Sequence, residues 1–130
     1  DQHIARHQLA DLVLDTRIYN GGATTWDALS TGLPVLTLRG KNVPSRASAS
    51  MLTSLGIEEL ITFDIENYQE LALNLATDFE KLKNIRNKII RNMKTSVLFN
   101  PEMSVNNIEK AYQIVWDNFA RGIEPQSTYI

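Results

Sequence analysis

Apolar residues along this chain follow two rhythms. In the first half they come as short unbroken runs, Leu12-Val13-Leu14 and "PVLTL" ending at Leu38, with a weaker third run, "ELITF", ending at Phe63. Runs of that length predict strands buried on both faces of a parallel sheet. Helical spacing fills the gaps. Ile4, Leu9 and Ala10 predict a helical segment ahead of the first strand. Thr24 is read as the N-cap of a short helix, with Asp27 three residues on completing a T-x-x-D capping box. Gly32 is placed to end that helix and Pro34 to prevent its continuation. Ser45 is read as the cap of a further helix running to Leu55, closed by Gly56. Residues 11–38 therefore predict strand, glycine loop, helix and strand, joined by a right-handed crossover.

Beyond Asp64 the period becomes helical throughout. Asp64 is expected to cap a helix whose apolar face is Ile65, Tyr68, Leu71, Ala72 and Leu75. Asp78 caps the next, with Phe79, Leu82, Ile85 and Ile89 as its stripe. Asn100-Pro101 opens the last, where the missing proline N–H costs little. Its face is Val105, Ile108, Tyr112, Val115, Trp116 and Phe119, Gly122 ends it, and an irregular tail follows. The fold class expected is α/β: a partial parallel sheet with flanking helices and a helical C-terminal half, one domain over residues 1–130.

Composition narrows the chemistry. Thirteen Lys plus Arg against fifteen Asp plus Glu give a formal charge of -2, so no broad attraction to nucleic acid or an anionic membrane is expected. The chain has no cysteine, which excludes disulfides, thiolate metal sites and cysteine nucleophiles. No apolar run approaches the roughly 20 residues a membrane span requires, and the first residues lack a secretory signal pattern. The cytoplasm is the expected compartment. The start of the chain reads as a piece cut from a longer one.

The stretch from Tyr19 to Asp27, "YNGGATTWD", sets two of the chain's six glycines between a strand and a helix. Such a junction gathers unpaired N–H groups at the positive end of a helix dipole, which favours a phosphate or diphosphate. Gly21 and Gly22 would let the anion approach the main chain, and Thr24 and Thr25 would offer hydroxyls. Asp27 would accept from a ribose diol. A tight turn alone accounts for the same residues, and neither a G-x-G-x-x-G nor a P-loop pattern is completed.

Elsewhere the signals are weaker. His3 and His7 stand four apart, as two metal ligands on one helix face would, but only Asp11 lies a further turn on; a base-stacking or surface imidazole is the plainer reading. Ser45-Arg46 could form a second anion-facing helix start, or simply a cap beside an exposed charge. The aromatic residues Trp26, Trp116, Tyr112 and Phe119 read as core or interface. The Lys/Arg scatter over 81–94 reads as a solvated helix face. No Ser-His-Asp order and no activated nucleophile emerges, so the catalytic residues stay unknown.

Several blocks together carry a resemblance. "HIARHQLADLVLDTRIYNGGATTWDALSTGLPVLTLRGKNVPSRASASMLTSLGIEELI", then "LATDFEKLKNIRNKI" and "SVLFNPEMSVNNIEKAYQIVWDNFARG", resemble the C-terminal catalytic lobe of O-linked N-acetylglucosamine transferases over residues 3 to 122. The resemblance implies a two-lobed GT-B glycosyltransferase whose Rossmann-like C-terminal lobe holds UDP-N-acetylglucosamine, with protein Ser or Thr hydroxyls as acceptors. Members usually carry tetratricopeptide repeats ahead of the catalytic region. By that likeness His3 matches the histidine near the uracil, Asn20-Gly21 the turn, Thr24 a diphosphate-binding threonine and Asp27 the carboxylate on the ribose. Where this chain has Gly22 and Ala23, relatives often have a histidine and a threonine. The implied donor needs no metal or other cofactor. The phosphate-binding lysine and the acceptor-side lobe would lie upstream, so this chain alone is expected not to transfer sugar. Two other readings remain: a sugar-nucleotide epimerase lobe, and a non-catalytic assembly module that self-associates through its helices.

Overall fold

Each of the three apolar runs becomes a strand, though a shorter one than its run. In a computed structural model describing residues 2–127, the strands are β1 (Val13–Leu14), β2 (Val35–Leu38) and β3 (Ile61–Thr62). They form a parallel sheet in the order β1-β2-β3, with Val13 opposite Val35 and Thr37 opposite Ile61. Five helices belong to the same part of the chain: α1 (Gln2–His7), α2 (Gly22–Ser30), α3 (Ala47–Ser54), α4 (Ile65–Thr77) and α5 (Phe79–Met93). Short 3₁₀ turns occupy Val43–Ser45 and Glu58–Leu60. This first unit ends at Ser96, and a second begins at Val97.

Burial centres on β2, where Val35, Leu36 and Thr37 are wholly covered. Around it lie Leu29 and Leu33 from the α2 region, Leu52 and Leu55 from α3, Leu75 from α4, and Leu82, Ile85 and Ile89 from α5. The amphipathic spacing of α4 and α5 thus does what it predicts. Some expected core residues do not comply, Phe63 at the end of the third run among them. Leu14 is 55% exposed, because β1 pairs only with β2 among the described residues and its outer side is open. Phe79 is 68% exposed at the first position of α5, past the end of the buried stripe.

The helix starts divide in the same way. Asp64 accepts from the Asn67 N–H at 2.8 Å and Asp78 from the Lys81 N–H at 2.9 Å, each satisfying a donor that the first turn leaves open. Thr24 does not cap α2. The helix begins two residues earlier, at Gly22 with Gly21 as N-cap, and Thr24 lies inside it, its hydroxyl donating back to the Gly21 carbonyl. Glycines there let the chain turn sooner than a Thr cap would require. Ser45 does not cap α3 either. It closes a capping box with Asn42 in the 3₁₀ turn, and Arg46 holds the N-cap position.

The second unit holds a 3₁₀ turn (Val97–Phe99) and α6 (Pro101–Ala120). Asn100 caps α6 through the Met103 N–H at 3.0 Å, and Ser104 Oγ donates to the Val97 carbonyl at 2.9 Å. Within this unit Tyr112, Trp116 and Phe119 are exposed. Residues 123–127 have no regular secondary structure, and the last three of the expected tail lie outside the described residues. Among the described residues no helix is long and apolar enough to cross a membrane.

Ile89→Ala is expected to lower unfolding free energy by about 2–5 kcal/mol, as core truncations do. Phe79→Ala should stay within about 0.5 kcal/mol. Urea unfolding of both variants checks the assignment, and equal losses would contradict it.

Candidate functional site

At the carboxyl end of β1 the chain turns through residues 15–21 before entering α2. The turn is organised by Asp15, which is 8% exposed. Its Oδ1 accepts from the Thr16 N–H at 2.9 Å and from the Gly21 N–H at 2.8 Å. Its Oδ2 accepts from Thr37 Oγ1 of β2 at 2.7 Å, and its carbonyl from the Tyr68 hydroxyl of α4 at 3.2 Å. Burial first, and then the nearby Asp15 charge, hold the Tyr68 phenol above its ordinary value of 10.0.

The paired glycines have different jobs. Gly21 is crowded: a Cβ there would sit 2.7 Å from Thr24 Oγ1, 2.8 Å from Thr25 Oγ1 and 3.3 Å from Asp15 Oδ1. Its carbonyl accepts from the N–H groups of Thr24 and Thr25 at 2.7 and 3.2 Å. Gly22 faces open space, with nothing within 4 Å of a Cβ, but its φ of +38° disfavours any side chain. The N–H groups of Gly22 and Ala23, the first two of α2, have no partner among the described residues. Two open donors thus stand at the positive end of a helix.

The other expected residues separate into those at the surface and those beneath it. Asn20 lies under the loop, 2% exposed, its N–H donating to the Pro44 carbonyl at 2.9 Å and its Nδ2 to the Thr16 carbonyl at 3.2 Å. Asn20 Oδ1 is buried with no partner among the described residues. Thr25 is also buried, its hydroxyl 2.8 Å from Ser48 Oγ on α3, so it ties two helices together and offers nothing outward. Ala23 and Thr24 are exposed.

Beside the loop, α1 meets α2 through His3, whose Nε2 lies 3.1 Å from Asp27 Oδ2. Arg6 Nη2 approaches His3 Nδ1 at 3.0 Å. A guanidinium can only donate, so Nδ1 accepts and the Nε2 proton points at Asp27. Residues 24 apart in sequence are brought together, and Asp27 Oδ1 has no partner among the described residues. His7 Nδ1 lies 3.1 Å from the His3 carbonyl, with the two rings edge to face at 5.0 Å. No cluster of three or more metal-ligating His, Asp or Glu occurs among the described residues.

Of the Ser45-Arg46 pair, Ser45 is buried and only Arg46 reaches a surface. Arg46 helps line an open cleft of ≈ 780 Å³ with Arg39, Val43, Glu58 and Phe63, at the carboxyl ends of β2 and β3. The Arg39 guanidinium lies 5.8 Å from the centre of the Phe63 ring. None of the eight residues expected from sequence lines that cleft. Asp15 and Thr37 are not among the residues expected from sequence, because the contact that joins them spans 22 residues.

Residues 1–108 match the model of glycosyl transferase family 41. A UDP-N-acetylglucosamine--peptide N-acetylglucosaminyltransferase of Caenorhabditis elegans is 33% identical over 123 residues, 95% of this chain. A probable enzyme of the same name from Arabidopsis thaliana, SEC, is 32% identical over 126 residues. A solved O-GlcNAc transferase of Thermobaculum terrenum superposes with a TM-score of 0.80 at 31% identity, over 88% of this chain and 22% of that one. The chain spans only 11% of the length of the C. elegans protein and 13% of the Arabidopsis one.

Gly21 and Gly22 should respond differently to substitution. Gly21→Asn is expected to cost about 1–3 kcal/mol through overpacking, whereas Gly22→Asn should cost less, since it meets open space and Asn tolerates positive φ better than other side chains. Chemical denaturation of both variants reads the difference, and the reverse order would contradict the geometry.

Proposed function

The chain belongs to glycosyl transferase family 41, and from that premise we propose that it forms part of the nucleotide-sugar side of a protein glycosyltransferase using UDP-N-acetylglucosamine. The observation that carries this reading is the pair of open N–H groups, Gly22 and Ala23, at the start of α2, flanked by the His3–Asp27 contact. In this reading the two amides and the helix dipole take the diphosphate, as helix N-termini take anions. Thr24, exposed beside them, can donate its hydroxyl to the anion only by releasing the Gly21 carbonyl. Asp27 Oδ1 accepts from the ribose diol while His3 holds the other oxygen and offers its ring to the base.

As the sugar departs, negative charge grows on the diphosphate. Fixed donors aimed there stabilise that charge without reorganising, an effect worth several kcal/mol where water is excluded. This electrostatic role requires no metal or other cofactor of these residues. Acceptor binding and proton transfer would fall to other parts of a longer protein, with Ser or Thr hydroxyls of protein as acceptors, so this chain alone would not transfer sugar. The cytoplasm is the proposed compartment, on the cysteine-free composition.

A second reading is favoured by α6, which exposes Val105, Ile108, Tyr112, Val115, Trp116 and Phe119. Apolar residues spaced along one helix suit assembly. The isolated chain is expected to self-associate, and a purely monomeric sedimentation profile at high concentration would rule that out.

For the nucleotide, calorimetry with UDP on the full-length protein is decisive. Asp27→Ala should weaken binding by about tenfold or more, the loss of a charged hydrogen bond. Wild-type affinity in that variant would remove Asp27 from the site.

A further inference from the structure

Asp15 was not among the residues the sequence singled out, and it touches no open surface of the proposed site. Yet the first N–H of the glycine loop does not face outward. It is held by Asp15 Oδ1 at 2.8 Å, and the same carboxylate holds Thr16 N–H and Thr37 Oγ1. An anion arriving at α2 would otherwise meet three loop donors in a row, at Gly21, Gly22 and Ala23. Among the described residues only the last two are open.

We propose that Asp15 is a positioning residue for the diphosphate: by taking the Gly21 N–H from behind, it fixes the turn that leaves the Gly22 and Ala23 N–H groups open. This rests on the nucleotide-sugar reading above. Three features support it. The contact spans six residues and closes the loop at its base. The carboxylate is itself fixed, by the Thr37 hydroxyl of the fully buried centre of β2. And Gly21 carries a second constraint, since its carbonyl accepts from the first turn of α2, so moving its N–H would shift the helix start with it.

A merely structural role would damage the whole site, whereas a positioning role falls on the diphosphate alone. Uridine, which lacks the diphosphate, separates the two. On the full-length protein, Asp15→Ala should weaken UDP by about tenfold or more, the effect of one charge-assisted hydrogen bond, and leave uridine affinity within about twofold, both read by ligand-observed NMR titration. Asp15→Asn should recover most of the loss, because its carbonyl still accepts from Gly21 while its amide donates to a reoriented Thr37 hydroxyl. Equal loss of UDP and uridine in Asp15→Ala, unchanged UDP binding, or no recovery in Asp15→Asn would each overturn the proposal. If Asp15→Ala does not fold, Thr37→Val carries the test: weakened UDP with uridine retained supports it, and any other pattern overturns it. Wild-type protein that binds neither ligand would instead bring down the nucleotide reading itself.

Discussion

A carboxylate placed where water hardly reaches must be satisfied by its surroundings, and Asp15 dictates much of what lies around it. Two backbone N–H groups and a threonine hydroxyl converge on it, from its own turn, from the glycine loop and from β2. Hydrogen bonds to a charged acceptor contribute about 1.5–3 kcal/mol each, while an unsatisfied buried charge costs considerably more. The loop's path is therefore not free to drift. Any conformation that turns the Gly21 N–H outward leaves a buried anion one donor short.

That constraint reaches across the sheet. Thr62 Oγ1 of β3 donates to the Thr37 carbonyl at 2.9 Å, and Thr37 Oγ1 donates to Asp15, so a hydrogen-bonded line runs from β3 through β2 to the loop. Tyr68 joins it from α4 through the Asp15 carbonyl. Its phenol is raised above 10.0 in the folded protein, so folding favours the neutral form. The sign follows from linkage: this contribution is fully present below pH 10.0 and fades as pH rises beyond it. Three strands and a helix thus depend on one another at the place where the anion would bind.

Much of this architecture was legible in the residues. Strand runs, the stripes of α4 and α5, and the Asp64, Asp78 and Asn100 caps announce themselves, because each depends on spacing within a few residues. Thr24 misled because a T-x-x-D box describes a helix start only when no glycine lets the chain turn earlier. Thr25 looked like a phosphate ligand because sequence does not say which side of α2 meets Ser48 on α3. Leu14 read as core because an apolar run does not reveal how many neighbours its strand has. Asp15 stayed invisible for the same reason: its partners Gly21, Thr37 and Tyr68 lie 6, 22 and 53 residues away. Family likeness points to His3, Asn20, Gly21, Thr24 and Asp27, of which Asn20 is buried, and it says nothing of the residues that hold the loop in place.

The use of main chain in place of side chains also shapes what the site can tolerate. At Gly22 and Ala23 this chain offers backbone N–H groups and little else. Such donors do not titrate and cannot be removed by substituting a side chain; they are lost only if the backbone moves. The φ of +38° at Gly22 and the crowding at Gly21 then matter more than the chemistry of either residue. A site of this kind would hold an anion through short-range dipoles, which fade beyond the first turn of the helix, so its grip would depend on how rigidly the loop is held. In this fold that rigidity comes from the buried carboxylate behind the loop.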